Sequence, residues 1–203
     1  MKKIVLTGGP CAGKTEVLTA LAWQFAGQIA IVPEAATVLL SGGFPAPGSE
    51  LPWSEEWQAE FQRAICQLQP ALEEAAELKA RSQGARILLC DRGLLDGAAY
   101  TPGGRSAFCS RFGLEINTAM SRYSRILHLE SLATANPEQY GRAGNAHRLE
   151  NLEQAQALEL ATREVWSGHP GYFFLRGSAR VEAKTERAGA ILARVLRDLP
   201  VPV

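Results

Sequence analysis

Histidine is scarce in this chain, with 3 residues among 203, and the four cysteines (Cys11, Cys66, Cys90, Cys109) lie far apart with no C-x-x-C pair. That pattern excludes a zinc finger or ribbon and gives no sign of a disulfide framework, so the thiols read as reduced and packed. A surplus of either charge is missing too: 21 Lys and Arg stand against 21 Asp and Glu. A general nucleic-acid binder needs a basic face, so any polyanion here must be held by a local cluster. No apolar run approaches the roughly 18–20 residues that a membrane span requires. The first run is cut by Gly8, Gly9, Pro10 and Lys14 before a signal-peptide core can form, and a cytoplasmic location is the expectation. Internal repeats and low-complexity tracts are absent.

What remains is the composition of a folded protein, 46% apolar and 21% charged, and a length that fits one domain over residues 1–203 with a small inserted lid. Short β-like runs alternate with helical stretches. Strands are expected at 3–7, 29–32, 85–90, 124–130 and 171–176. Helices are expected at 14–26, from Trp53 to about Ser82 with a kink or break at Pro70, near 106–120, at 149–166 and at 181–198. The Gly- and Pro-rich stretch 41–52 reads as a loop. Seven acids against two bases in 50–80 read as a solvated acidic face on the long helix. Buried strands separated by helices imply an α/β fold, a mostly parallel sheet with helices on both faces, whose ligand site lies at the carboxyl ends of the strands.

Gly8-Gly9-Pro10-Cys11-Ala12-Gly13-Lys14-Thr15 fits G-x-x-x-x-G-K-[ST] between the first strand and the first helix. Gly8 and Gly13 allow the backbone to curl until successive N–H groups face inward on phosphate oxygens, and the helix that follows adds its positive end. The spacing lets Lys14 reach the β- and γ-phosphates and the Thr15 hydroxyl ligate Mg²⁺. Within this loop Cys11 contributes backbone only.

Asp91 follows Ile87-Leu88-Leu89-Cys90, where a second acid can anchor Mg²⁺; the alternative is a helix N-cap. Arg92 can pair with a phosphate or form a surface ion pair. Asp96, in the same DRGLLD run, reads as structural. Glu34, just past the second strand, either takes a proton from an attacking hydroxyl or opens a helix after Pro33. Arg148 and then Arg142, in the polar 131–148 segment, suit an Arg-bearing flap over a transferring phosphoryl group, the alternative being a solvated loop. His147 is a bystander, His128 a strand residue and His169 a turn residue.

Taken together, GGPCAGKT, VPEAA after the second strand, DRGLLDGAAY after the third and GNAHRLEN after the fourth resemble the AAA-like P-loop family that includes the nicotinamide-riboside kinase domain of bacterial NAD-biosynthesis regulators. The similarity covers nearly the whole chain. More distantly the layout is similar to deoxynucleoside and nucleoside-monophosphate kinases. The resemblance implies a three-layer P-loop NTPase fold with a five-stranded parallel sheet in the order 2-3-1-4-5 and a lid at about 131–150. It implies ATP as phosphoryl donor, although nothing in the residues selects it over GTP, with Mg²⁺ and a small hydroxyl-bearing, nucleoside-like acceptor. It also implies Glu34 as base, Asp91 near Mg²⁺, Arg92 at a phosphate, Arg148 in the lid and Gln69 as an amide contacting the acceptor. Because the family includes members that bind nucleotide or lipid phosphate, the alternative function is an ATP- or GTP-binding switch, or slow NTPase, acting through a protein or phospholipid.

Overall fold

The computed structural model describes residues 1–49, 51–140, 150–177 and 181–200. In chain order the strands are β1 Lys2–Thr7, β2 Ile29–Val32, β3 Ile87–Asp91, β4 Arg125–Leu129 and β5 Tyr172–Leu175. The helices are α1 Lys14–Gln24, α2 Ala35–Ser41, α3 Glu55–Ser82, α4 Gly104–Phe112, α5 Ile116–Ser121, the one-turn α6 Leu132–Ala135 and α7 Pro137–Tyr140, α8 Leu152–Val165 and α9 Val181–Asp198, with a 3₁₀ turn at Asp96–Tyr100. All strand pairings are parallel and the order is β2-β3-β1-β4-β5, the order expected from the family resemblance.

Strand alternation divides the core into two layers. Ile4 and Leu6 of β1, Ile87 and Leu89 of β3, and Leu127 and Leu129 of β4 point to one face, where α1 (Val17, Leu21) and α9 (Ala188, Leu192, Leu196) cover them. Val5, Leu88, Cys90 and Ile126 point to the other, beneath Ala80 of α3, Phe108 of α4, Ala119 of α5 and Trp166 just after α8. Nearly all of these side chains are fully removed from water, at about 25 cal/mol of stabilisation per Å² of apolar surface. The same parity settles which way the end residues face. Asp91, two positions past Leu89, is carried to the α1 side, and Thr7, two past Val5, to the α8 side.

Three local readings differ from the expectation, and a helix opens at Glu34 as one of its two readings has it. The long helix runs unbroken through Pro70; packing of its inner face against β2 and β3 outweighs the hydrogen bond a proline cannot make. The helix expected at 106–120 is two, because Gly113 adopts a left-handed cap (φ 65°) and ends the first. A helix, α2, occupies 35–41 directly after Glu34. The acidic stretch is not wholly solvated either: Glu73 is fully buried and receives Lys3 Nζ at 3.0 Å, Arg122 Nη2 at 2.8 Å, Tyr123 OH at 2.7 Å and Gln69 Nε2 at 3.2 Å. Among the described residues no helix is long and apolar enough to cross a membrane.

Candidate nucleotide and phosphate site

The segment after β1 folds as a tight loop into α1. Gly8 (φ 142°) and Gly13 (φ 83°) take backbone angles that L side chains rarely adopt, and a Cβ on Gly8 would stand 2.2 Å from the Leu129 carbonyl. Cys11 also has positive φ, at 58°, and packs against the small cluster of Ala133, Tyr140 and Ala155. Carbonyls around the loop are held by donors from several parts of the chain. Lys14 Nζ bonds the Gly8 and Gly9 carbonyls, each at 3.0 Å. The Ser131 hydroxyl bonds Pro10, the Leu132 amide bonds Cys11 at 3.2 Å, Lys184 Nζ bonds Ala12 at 3.0 Å, and the Val17 amide bonds Gly13 at 3.0 Å. Six consecutive carbonyls, Gly8 to Gly13, are thus occupied. A peptide whose oxygen is tied on one side turns its N–H to the other, so these bonds fix which way each N–H of the loop faces.

Around Lys14 the strand ends converge. Glu34 caps α2 by position without a side-chain capping bond. Its carboxylate instead accepts Arg92 Nε at 2.5 Å and the Thr37 hydroxyl at 2.6 Å. Arg92 itself has φ 67°, a strained backbone directly after β3. Asp96, 2% exposed, accepts from the Thr7 hydroxyl, the Gly93 amide at 2.8 Å, Trp166 Nε1 at 3.2 Å and Arg92 Nη1 at 3.5 Å. It fixes the turn after β3 against β1 and the end of α8.

Electrostatics follow from this crowding. Burial, and then Arg92, hold the Lys14 ammonium down to about 8, against the pull of Glu34, Asp91 and Asp96. Burial, and then the charge of Glu34, push the Asp91 carboxyl up to about 6, against Lys14 and Arg92. For Glu34 burial acts upward as well, but Arg92 and the Thr37 hydrogen bond outweigh it and leave the carboxyl below its ordinary range.

Lys14, Glu34, Asp91 and Arg92 are therefore brought together from three separate turns. Thr15 stands in the first turn of α1 and is exposed. Arg142 and Arg148, with His147, lie outside the described residues. Gln69 is turned inward, its amide on Glu73 Oε1 (3.2 Å) and the Arg92 carbonyl (3.5 Å). Two residues escaped the sequence reading. Lys184 of α9 bonds Ala12 and the Glu130 carbonyl (2.7 Å), and Glu159 of α8 accepts the Gly9 amide at 2.7 Å and faces His128 Nε2 at 3.0 Å.

The residues fit a magnesium ion. Asp91 Oδ1 is buried and has no hydrogen-bond partner, the state of an acceptor awaiting a cation. Among the described residues no three His, Cys, Asp or Glu side chains form a metal cage. Mg²⁺ takes one or two protein oxygens and fills the rest of its shell with phosphate and water.

Comparison with known proteins gives one family. A family model described as an AAA domain matches residues 3–184. No curated protein matches the chain.

Proposed function

The chain belongs to this AAA domain family, which is of the P-loop NTPase type, and on that premise we propose that it is a Mg²⁺-dependent phosphotransferase that moves a phosphoryl group from a nucleoside triphosphate, ATP by preference, to a hydroxyl of a small nucleoside-like molecule. The observation that carries the reading is the meeting of Glu34 with Arg92 at 2.5 Å beside Lys14 and Asp91, at the carboxyl ends of adjacent strands. A nucleotide-binding module needs the loop alone; a carboxylate and a guanidinium placed beside it are what an acceptor hydroxyl and a moving phosphoryl group need.

In this reading the loop from Gly8 to Thr15 wraps the polyphosphate and its amides past Pro10 bond the phosphate oxygens. Lys14 keeps the Gly8 carbonyl and turns its other donors to the β- and γ-phosphate oxygens. Thr15 and Asp91 would hold Mg²⁺, which when bound offsets the charge of the polyphosphate. Arg92 stands where it can shift from Glu34 to a phosphate oxygen, leaving the Glu34 carboxylate to orient the acceptor hydroxyl and take its proton. Arg148, with Arg142 second, supplies charge from the lid. The transition state of phosphoryl transfer is loose, so positioning and electrostatics account for most of the acceleration.

A second reading rests on a specific feature. Arg92 and Thr37 occupy the Glu34 carboxylate and lower its basicity, as suits a nucleotide switch or slow NTPase signalling to a protein or phospholipid. Triphosphate turnover measured with and without a panel of nucleosides separates the two. Strong stimulation by one acceptor, abolished in Glu34→Gln, supports the transferase; turnover indifferent to every acceptor and to Glu34 leaves the switch.

A further inference from the structure

Glu159 is a carboxylate placed where burial is costly, 2% exposed and on a helix 150 residues away in sequence from the loop it touches. A buried charge persists only when its oxygens are met by donors. Here they are the Gly9 amide (2.7 Å), His128 Nε2 (3.0 Å) and the Ser131 backbone N–H. Two of the three lie just past β1 and β4, so one side chain ties together the ends of neighbouring strands. Contact is also steric: a Cβ on Gly9 would stand 2.8 Å from Glu159 Oε2 and 3.1 Å from its Cα.

The peptide between Gly8 and Gly9 is gripped at both ends. Its N–H points to Glu159, and its carbonyl, the Gly8 oxygen, receives Lys14 Nζ at 3.0 Å. In a trans peptide the two groups point in opposite directions. Flipping this plane would aim the Gly8 oxygen at the Glu159 carboxylate, which has no proton to offer, and would take from Lys14 one of its two carbonyl partners. An ionised carboxylate behind the loop therefore permits one orientation only.

We infer that Glu159 is a positioning residue of the phosphate loop: through the Gly8–Gly9 peptide it sets the orientation that presents the Lys14 amine to the polyphosphate. The inference rests on the reading of the loop as a nucleotide site. The phosphates never touch Glu159, and its effect reaches them through the backbone and Lys14.

The test is titration calorimetry of the full chain with Mg·ATP and, separately, with magnesium tripolyphosphate, at a temperature where circular dichroism shows every variant folded. Removing a charge-assisted hydrogen bond should weaken both ligands by about 10- to 100-fold in Glu159→Ala. Glu159→Gln, which keeps an acceptor for Gly9 but adds an N–H that a flipped Gly8 oxygen can take, should fall between the parent and Glu159→Ala. Should Glu159→Ala not fold, Glu159→Met, which keeps the length without the acceptor, replaces it. The Gly9 amide proton supplies a signature that stability alone does not move: shifted downfield in the parent, closer to ordinary values in the Gln variant. Wild-type protein that binds both ligands, together with an Ala or Met variant of equal affinity, overturns the inference alone, as does a Gly9 amide at an ordinary shift in the parent. Wild-type protein that binds neither ligand overturns the nucleotide reading and this inference with it.

Discussion

Arg92 Nε lies 2.5 Å from Glu34 Oε1, a contact between the turn after β3 and the first residue past Pro33, 58 positions apart in sequence. Neither side chain is at the surface in the usual sense: they are 17% and 27% exposed. Both are held in place by further contacts, Arg92 by Asp96 at 3.5 Å and Glu34 by the Thr37 hydroxyl at 2.6 Å. A pair this enclosed is more than a screened surface bridge, and each member keeps the other charged and oriented next to Lys14.

If the carboxylate serves the acceptor, Glu34→Gln should cost acceptor-dependent turnover about 10²- to 10⁴-fold. Nucleotide affinity should change little, because the phosphate loop does not use Glu34. A coupled turnover assay and calorimetry on the same preparation read the two quantities. Equal turnover in parent and variant removes Glu34 from the reaction.

Lys14→Ala tests the loop itself. Each ammonium–phosphate hydrogen bond contributes about 1.5–3 kcal/mol, so affinity for Mg·ATP should fall by about 10- to 100-fold or more. Thermal stability without nucleotide should also fall, by about 1–3 kcal/mol at most, because the Gly8 and Gly9 carbonyls lose their donor, with the removal of a buried ammonium offsetting part of that cost. Unchanged affinity would leave the loop without its anion-binding role.

The loop was legible in the sequence because its parts are contiguous: strand, six loop residues and helix share one stretch, and their spacing carries the chemistry. Glu34, Asp91 and Arg92 were legible for a related reason, since each follows an apolar strand, and strand ends meet at one edge of a parallel sheet. That Glu34 would meet Arg92 was not, as no spacing links two turns 58 residues apart. Glu159 and Lys184 were hidden more deeply. On a helix that alternates charged and apolar residues, an acid or base aimed at the loop looks the same as one aimed at water, and only packing tells them apart. Glu73 misled the reading of the long helix in the same way, because its partners Lys3, Arg122 and Tyr123 come from the start of β1 and the approach to β4.

Lys184→Met should act on the opposite side of the loop from Glu159. It removes the donor to the Ala12 carbonyl (3.0 Å) and to the Glu130 carbonyl (2.7 Å), leaving two oxygens short of a partner at a cost of about 1–3 kcal/mol. Part of that cost should appear as a lower melting temperature and, if the Ala12 peptide serves the phosphates as proposed, part as weaker Mg·ATP binding. Lys184→Arg, which keeps the charge but changes its shape, should restore stability only in part. A Met variant with the parent's melting temperature and affinity would show that the two carbonyls find other donors.

Glu73 gives the chain an acid-sensitive component of stability whose sign can be worked out. Burial alone would raise its carboxyl, but hydrogen bonds from Tyr123 and Lys3 and the charge of Arg122 outweigh it, so the folded value lies below the ordinary 4.5. A depressed carboxyl stabilises the fold above its unfolded value, and that contribution is lost as pH falls through 4.5 toward the folded value. Glu73→Gln should therefore be less stable than the parent at pH 7, by about 3–5 kcal/mol for a buried carboxylate whose cationic partners are left behind. The gap between the two proteins should narrow steadily below about pH 4.5, where the parent also becomes neutral at this position. Urea denaturation of both proteins across that range measures the gap. A difference that stays constant from neutral to acid pH would mean that Glu73 holds its neighbours by shape and hydrogen bonding, with its charge contributing nothing.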